Sequence, residues 1–300
     1  MLLLLPVTSL LLFQIQGRDT ALTGRIQRLL HDALTTQDDK QEAAAEAEAI
    51  AIFRQYGLPG IAAVGDEAAY AFVMLTCSSD SRKFQTQVLQ KATDGAKRGE
   101  IPADAASYCA AHLRQETTKA EAKRRTPTNP ALRDEIEGLF KTDQAVREKN
   151  EFDMEKMERT DREHAPALET IFAKHGVPTY RMVGPQAASD FVTMIQHQSP
   201  EFRMKVLPKL KANVDAGEAD PGSYATVYDR AQTDAGKKQM YGQNLICDAA
   251  HPKLHTGPIG DEEHVNQRRA AIGLMRLELY SQLVVAMSPD VCPAAPAAAK

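Results

Sequence analysis

The chain has 300 residues, enough for two domains of ordinary size that each bury a core. Its formal net charge is −4 with both signs mixed along the chain, which excludes the clustered Lys and Arg surface of a nucleic-acid-binding protein. Aromatic residues make up only 6%, so we expect cores of Leu, Ile, Val, Met and Ala. Helix-forming residues dominate, and no alternating stretch is long enough to predict a strand. The sequence therefore predicts an all-α protein.

The first residues form an apolar run from Met1 to Phe13 that is too short to cross a membrane as a helix. This run is typical of a secretory signal peptide, which we place at residues 1–17, and a buried N-terminal helix is the alternative. The signal predicts export to the periplasm or the medium, with no stable membrane span once the signal is removed. At the other end, residues 288–300 form a Pro/Ala-rich tail that we expect to be disordered.

Helical periodicity and breaker residues predict the elements between these two ends. We expect five helices in the first half, at residues 18–37, 38–55, 66–77, 84–96 and 104–125. Residues 126–130 are rich in Pro and Thr and predict a linker. In the second half, helices are expected to begin at Pro130 and Pro185, after an Asp261 cap, and at Leu274.

The second half repeats the apolar and turn residues of the first. The segment at 56–59 recurs at 175–178 with its Gly and Pro, Val64-Gly65 recurs as Val183-Gly184, and Phe72-Val73 recurs as Phe191-Val192. A shared register of such residues indicates duplication of a helical unit. We therefore predict two tandem repeated helical domains, a degenerate repeat at 18–125 and a domain at 131–287 that carries the candidate site.

Three polar residues continue an apolar helix stripe in the second half, and the first half keeps the arginine but not the Asp-Gln pair. Asp143 and Arg147 are four residues apart, and Gln144 lies alongside. The aligned residues of the first half are Gly24, Arg25 and Arg28. Charged groups on a buried face need partners, so this pair is either a structural salt bridge or part of a functional site.

His197 ends a predicted helix on which Asp190, Thr193 and His197 form a polar line beside the apolar stripe. The aligned residues of the first half are Ala71, Met74 and Ser78. A single His is more often a surface or satisfied core residue than a catalyst, but a neighbouring acid raises the prospect of a site. We take His197, Asp143 and Arg147 as the candidate catalytic residues.

Further polar residues follow in the second half and complete the candidate ligand-binding set. This set is Gln144, Asp229, Arg230, Tyr241, Gln243 and Arg268. Arg side chains offer a fork for a carboxylate or a phosphate, whereas His and Asp can move protons. For Arg268 and the neighbouring Arg269, the competing interpretation is that they lie on a solvent-exposed face of the helix.

The succession of these motifs resembles a known family. The residues that carry the resemblance are Asp143-Gln144, Arg147, Asp161, His175-Gly176-Val177-Pro178-Thr179, Gln196-His197, Asp229-Arg230, Tyr241-Gly242-Gln243, Pro258-Ile259, Arg268-Arg269 and Gly273-Leu274. In this order they look like the bacterial DUF6624 family, over about Leu132 to Tyr280. The resemblance implies a compact, mostly helical domain with no established activity, and members often follow signal peptides. Two positions depart from the family pattern, Val177 for a usual Trp and a Tyr-Gly-Thr-Gln motif shortened at Gln243.

The sequence leaves two classes of function open. The first is a small-ligand-binding module or an enzyme of unknown reaction that uses the Asp/Gln/Arg/His site, with an unknown small molecule or protein as partner and no cofactor. The second is a non-catalytic structural or interaction protein of the cell envelope, in which the polar cluster only holds helices together. A metal site formed by Cys247, His251 and His255 is disfavoured because Pro252 interrupts any continuous helix. For an exported protein we instead predict Cys77–Cys109 and Cys247–Cys292 disulfides.

Overall fold

The computed structural model describes residues 19–35, 38–147, 153–247, 254–287 and 292. The predicted signal peptide lies outside the described residues, and so does the predicted tail apart from Cys292. The chain divides into two compact units, of which the first ends at Ala106 and the second begins at Ser107. The domain limits predicted from the sequence, including the linker at residues 126–130, stay predictions.

Helices form nearly all the regular structure, which confirms the all-α prediction. From the first unit to the start of the second they are α1 (Thr20–Thr35), α2 (Asp39–Tyr56), α3 (Ile61–Val64), α4 (Asp66–Cys77), α5 (Arg82–Lys97) and α6 (Ala103–Lys123). The second unit continues with α7 (Pro130–Ala145), α8 (Met154–His175), α9 (Tyr180–Val183), α10 (Pro185–Ile195), α11 (Pro200–Asp215), α12 (Pro221–Asp234), α13 (Val265–Ala271) and α14 (Leu277–Met287).

Polar caps and prolines fix the helix starts of the second unit. The Asn129 side chain accepts a hydrogen bond from the backbone N–H of Leu132 at 3.1 Å, and Pro130 occupies the first turn of α7. Ser199 caps α11 in the same way through the N–H of Phe202 at 3.2 Å. Both arrangements satisfy N–H groups that a helix leaves without partners, so the boundaries follow from the local sequence.

Glycines with positive φ end α2 and α8 and join the short helices to the long ones that follow. Gly57 has φ 73° and ψ −142°, and Gly176 has φ 72° and ψ −150°. Gly65, between α3 and α4, has φ 84° and ψ 164°, and Gly184, between α9 and α10, has φ 88° and ψ 157°. A side chain would strain the backbone at such angles, which explains why glycine stands at all four positions.

The core of the second unit forms where α7, α8, α10, α11 and α12 meet. Its most deeply buried side chains include Ile136, Leu168, Phe191, Ile195 and Leu210. These residues come from the apolar stripes that helical periodicity predicts. Polar residues that neighbour these stripes on the same helices therefore lie at the edge of the apolar core.

The loop between α12 and α13 contains the only strands among the described residues, and no strand was predicted there. Two short antiparallel strands, β1 (Leu245–Ile246) and β2 (His255–Thr256), pair with each other, and Gln239 bridges to Ile259. The predicted Asp261 cap is wrong, because Asp261 has φ 47° and begins a 3-10 turn before α13 without a side-chain cap bond. Its carboxylate instead contacts His264 and Arg268.

The described cysteines are oxidised. Cys247 is bonded to Cys292, as predicted, and Cys77 and Cys109 are also disulfide-bonded, so that no cysteine is free. None of the helices within the described ranges combines the length and the apolar character that a membrane crossing requires.

Candidate functional site

An ion cluster at the end of α7 joins that helix to α8. Asp143 is 1% exposed, and its Oδ1 lies 2.8 Å from Nη1 of Arg147. Nη2 of Arg147 reaches Oδ1 of Asp161 on α8 at 2.5 Å, and Gln144 Nε2 donates to Asp143 Oδ2 at 2.8 Å. The guanidinium is thus shared by two carboxylates, and the buried acid is paired as its burial requires. We call these residues the Asp143–Arg147–Asp161 cluster.

His197 lies beside this cluster, just after the end of α10. Burial lowers the pKa of His197 from its ordinary value, and the positive charge of Arg147 acts in the same direction. The carboxylates of Asp143 and Asp161 oppose this shift, and Arg230 adds to it. His197 is half-buried, and its ring nitrogens have no hydrogen-bond partner among the described residues. The lowered pKa favours the neutral imidazole at pH 7.

Two further arginines meet at the carboxyl end of α10. The carbonyl oxygen of Gln196 accepts from Nη1 of Arg203 at 3.1 Å and from Nη1 of Arg230 at 3.0 Å. Arg203 is 6% exposed and pairs with Asp234, and its buried Nε has no partner within the described part of the chain. Burial and the charge of Arg230 both lower the pKa of Arg203. Two guanidiniums therefore meet at one carbonyl oxygen at this end of α10, and Asp234 balances the charge of one of them.

A cleft of about 490 Å³ with both polar and apolar side chains in its lining opens next to Arg230. Arg230, Asp234, Gln243 and Tyr280 are among its lining residues. Arg230 has no carboxylate partner among the described residues, and its guanidinium is bonded there only to Gln196. An arginine in this state is suited to binding an anion, because its remaining N–H groups can form a fork to a carboxylate or a phosphate.

Asp229 precedes Arg230 on α12 but points into a different environment. It is fully buried, and it accepts backbone N–H groups of Met240 at 2.7 Å, Tyr241 at 3.0 Å and Gln243 at 2.8 Å. Burial raises the pKa of Asp229, while these three hydrogen bonds and the charge of Arg269 counteract the rise. Asp229 therefore holds the loop at 239–243 in place, because both of its carboxylate oxygens accept hydrogen bonds from that loop.

Arg269 supports the same loop from the opposite side. It is 0% exposed, and it donates to the carbonyl oxygens of Met275 and Tyr241 at 2.6 Å each and to Oε1 of Gln243 at 3.1 Å. The interpretation of residues 268–269 as a solvated face is wrong for Arg269, which is one of the largest fully buried side chains. Arg268 is half-buried and binds the carbonyl oxygens of Met240 and Gly260.

The structure thus brings some of the predicted residues together and assigns others a supporting position. Asp143, Gln144 and Arg147 form one cluster whose charges act on His197. Gln243 and Arg230 both line the cleft, whereas the other predicted ligand-binding residues of the loop region bind backbone groups or lie in the core. These are Asp229, Tyr241 and Arg268.

The sequence analysis missed two residues of this region, Asp161 and Arg203. Asp161 was quoted only within the family motif, and Arg203 was not considered because it stands among the exposed and apolar residues of α11. Asp190 and Thr193, expected to line up with His197, bond instead within α10 to Gln186 at 2.7 Å and to the carbonyl of Ser189 at 3.0 Å. The signal that could have found Asp161 was its register on α8, where it follows the helix start by two turns.

The alternative of a metal site at Cys247, His251 and His255 has no thiolate ligand. Cys247 forms a disulfide with Cys292, so it offers no thiolate, and His251 lies outside the described residues. Within the ranges that the structure describes, no group of three or more His, Cys, Asp or Glu side chains is arranged to hold a metal ion.

Comparison with known proteins places the second unit in a family. A family model described as a family of unknown function, DUF6624, matches residues 130–288. The chain belongs to this family. The match begins at the first residue of α7 and contains the Asp143–Arg147–Asp161 cluster, His197 and the loop at 239–243, which confirms the resemblance drawn from the sequence. No curated protein and no solved structure matches the chain.

Proposed function

We propose that the second unit binds a small anionic ligand in the cleft beside Arg230, near the carboxyl end of α10, either as a binding module or as an enzyme. The observation that carries this proposal is the unequal pairing of the arginines. Arg147 has two carboxylate partners and Arg203 has one, whereas Arg230 has none among the described residues and borders a cleft. An anion in the cleft would give Arg230 the charged hydrogen-bond partner that the other two arginines already have.

His197 supplies a second feature of a ligand site. Its lowered pKa keeps the ring neutral at pH 7, so one nitrogen can accept a proton or a hydrogen bond from a ligand. The charges of the Asp143–Arg147–Asp161 cluster and of Arg230 all act on this ring. A bound anion would raise the pKa of His197 again, so binding and proton uptake would be coupled.

The test is a ligand titration of the full chain with inorganic phosphate and with succinate at constant ionic strength, followed by thermal unfolding. A ligand at ten times its dissociation constant stabilises the native state by about 1.4 kcal/mol. We expect a saturable rise in unfolding temperature that Arg230→Gln abolishes and His197→Gln weakens. The matched control is Arg162→Gln on the exposed face of α8, where the residue lies 3.7 Å from Glu158. An equal response in Arg230→Gln and the control would overturn the proposal.

The second candidate is a non-catalytic structural or interaction protein of the cell envelope. It is favoured by the closed pairing of Asp143 with Arg147 and by the use of Asp229 and Arg269 inside the fold. On this proposal Asp143→Ala costs several kcal/mol, roughly the penalty for a disturbed buried ion pair, and no anion stabilises the wild-type protein. The ligand titration therefore separates the two proposals.

Export and duplication complete the proposal. We propose that the chain is exported to the periplasm or secreted after removal of a signal peptide, and its oxidised cysteines support this because disulfides persist in oxidising compartments. A tandem duplication is supported by the matching order of helix lengths and by the near-identical angles of Gly57 with Gly176 and Gly65 with Gly184. Mass spectrometry of protein from the periplasm would locate the mature N-terminus.

A further inference from the structure

A groove on the first unit, outside the region that the family model matches, has the chemistry of a second ligand site. It lies between the end of α2 and the start of α5 and has a volume of about 530 Å³, within the range of small-molecule sites. Arg54, Lys83 and Lys91 line it, and no Asp or Glu does. We call it the α2–α5 groove, and we propose that it binds an aromatic organic anion such as a phosphate ester.

The apolar floor of the groove is an aromatic pair. The rings of Phe53 and Phe84 meet edge to face with centroids 4.8 Å apart and an interplanar angle of 81°. Nζ of Lys91 lies 6.0 Å from the centroid of Phe53. Phe53 is 8% exposed and Phe84 is half-buried, so the floor offers ring edges rather than a broad apolar patch. A planar ring of a ligand can pack against such a pair.

The cations at the rim are free to bind a ligand. Arg54, Lys83 and Lys91 are exposed, and none of them forms an ion pair with a described carboxylate. Ser81 caps α5 at the edge of the groove, and the first turn of that helix contains no acidic residue. Three positive charges around one aromatic floor repel one another, and an anion between them relieves that repulsion.

The second unit provides a natural comparison, because it contains the same aromatic pair with a different rim, in which Nζ of Lys205 lies 5.8 Å from the centroid of Phe172. Phe172 and Phe202 also meet at an interplanar angle of 81°, with centroids 5.9 Å apart. In the register of the repeat, Ala173 stands for Arg54 and Glu201 stands for Lys83, whereas Lys209 stands for Lys91. The aromatic pair is therefore compatible with either rim, and the fold does not require Arg54 and Lys83. These two cations are the ones that distinguish the proposed site from the second unit.

The experiment is a calorimetric titration of the full chain with phenyl phosphate, inorganic phosphate and benzyl alcohol. Phenyl phosphate combines the ring with the charge, and the other two probes carry one feature each. We expect phenyl phosphate to bind at least about tenfold more tightly than either of them, because aromatic packing and charge-assisted hydrogen bonds act together. Equal affinity for phenyl phosphate and inorganic phosphate, or no binding of phenyl phosphate, would refute the proposal.

Charge-matched variants locate the site. The double variant Arg54→Ala with Lys83→Glu introduces the residues that the second unit already uses, and it should weaken phenyl phosphate binding about tenfold or more. Lys205→Ala with Lys209→Glu changes the net charge by the same amount on the corresponding face of the second unit and should leave the affinity unchanged. Lys91→Gln serves as a milder variant and should weaken binding severalfold. Equal losses in both double variants would show a general charge effect and remove the proposed site.

Discussion

Replacement of Asp229 with Asn tests how the loop at 239–243 is held. The change preserves the shape of the side chain and removes its charge and one of its two acceptor oxygens. Oδ1 accepts from Met240 and Tyr241, and Oδ2 accepts from Gln243 at 2.8 Å. The amide nitrogen of Asn can only donate, so at least one backbone N–H loses its partner and faces another donor.

The magnitude follows from these contacts. A hydrogen bond to a charged group contributes about 1.5–3 kcal/mol, and a buried donor left without a partner costs about 1–3 kcal/mol. The two effects overlap at the same N–H, so we expect Asp229→Asn to lower the free energy of unfolding by about 3 kcal/mol. With a urea m-value of about 2 kcal/mol/M, the unfolding midpoint should fall by about 1.5 M.

Urea unfolding followed by circular dichroism measures this change, and Asp215→Asn is the control. Asp215 is exposed and pairs with Lys211 at 2.7 Å on one face of α11, so its replacement should cost less than about 0.5 kcal/mol. A loss below about 1 kcal/mol for Asp229→Asn would refute the reasoning, since it would mean that water or a shifted loop satisfies the freed N–H at little cost.

The remaining predictions concern pH and oxidation. The folded protein binds a proton at His197 less readily than the unfolded chain, whose His has a pKa near 6.5, so stability falls as the pH drops below that value. His197→Gln should therefore lose less stability between about pH 7 and about pH 5 than the wild type, measured by urea midpoints at each pH, and an unchanged pH profile would contradict the placement of His197. Cys247→Ser opens a loop with a sequence separation of 45 residues, for which the chain-entropy estimate is a loss of about 4 kcal/mol. Thermal melts of Cys247→Ser and of the oxidised wild type measure this loss, and equal unfolding temperatures would show that the bond contributes little.

The helices were predictable where local signals agree. Residues 66–77 were predicted as a helix and form α4 with the same bounds, because a glycine precedes it, acids occupy its first turn and apolar residues fill its body. The strands β1 and β2 escaped prediction because two residues each are too few for a period. The short helices at Ile61–Val64 and Tyr180–Val183 were missed for the same reason, since one turn of helix has no repeating stripe.

The candidate site was predictable only for residues whose side-chain direction follows from their position along a helix. Asp143 and Arg147 continue the stripe of α7, so their inward direction followed from spacing, and Arg147 does pair with Asp143. The burial of Arg269 was not predicted because α13 is a short helix, and its contacts with the loop at 239–243 determine which of its faces is buried. Asp229 looked like a ligand residue for a related reason, since nothing in the sequence shows that three backbone N–H groups of a later loop surround it.

The double support of the loop at 239–243 has a consequence for the thermodynamics of binding. Asp229 holds its N–H groups and Arg269 holds the carbonyl of Tyr241 and the side chain of Gln243, so this wall of the cleft is fixed before any ligand arrives. A ligand that contacts Gln243 does not have to order the loop and is spared that conformational entropy. At the proposed anion site, association should then be fast and nearly free of structural change. The rate at which the anion dissociates from Arg230 should set most of the affinity.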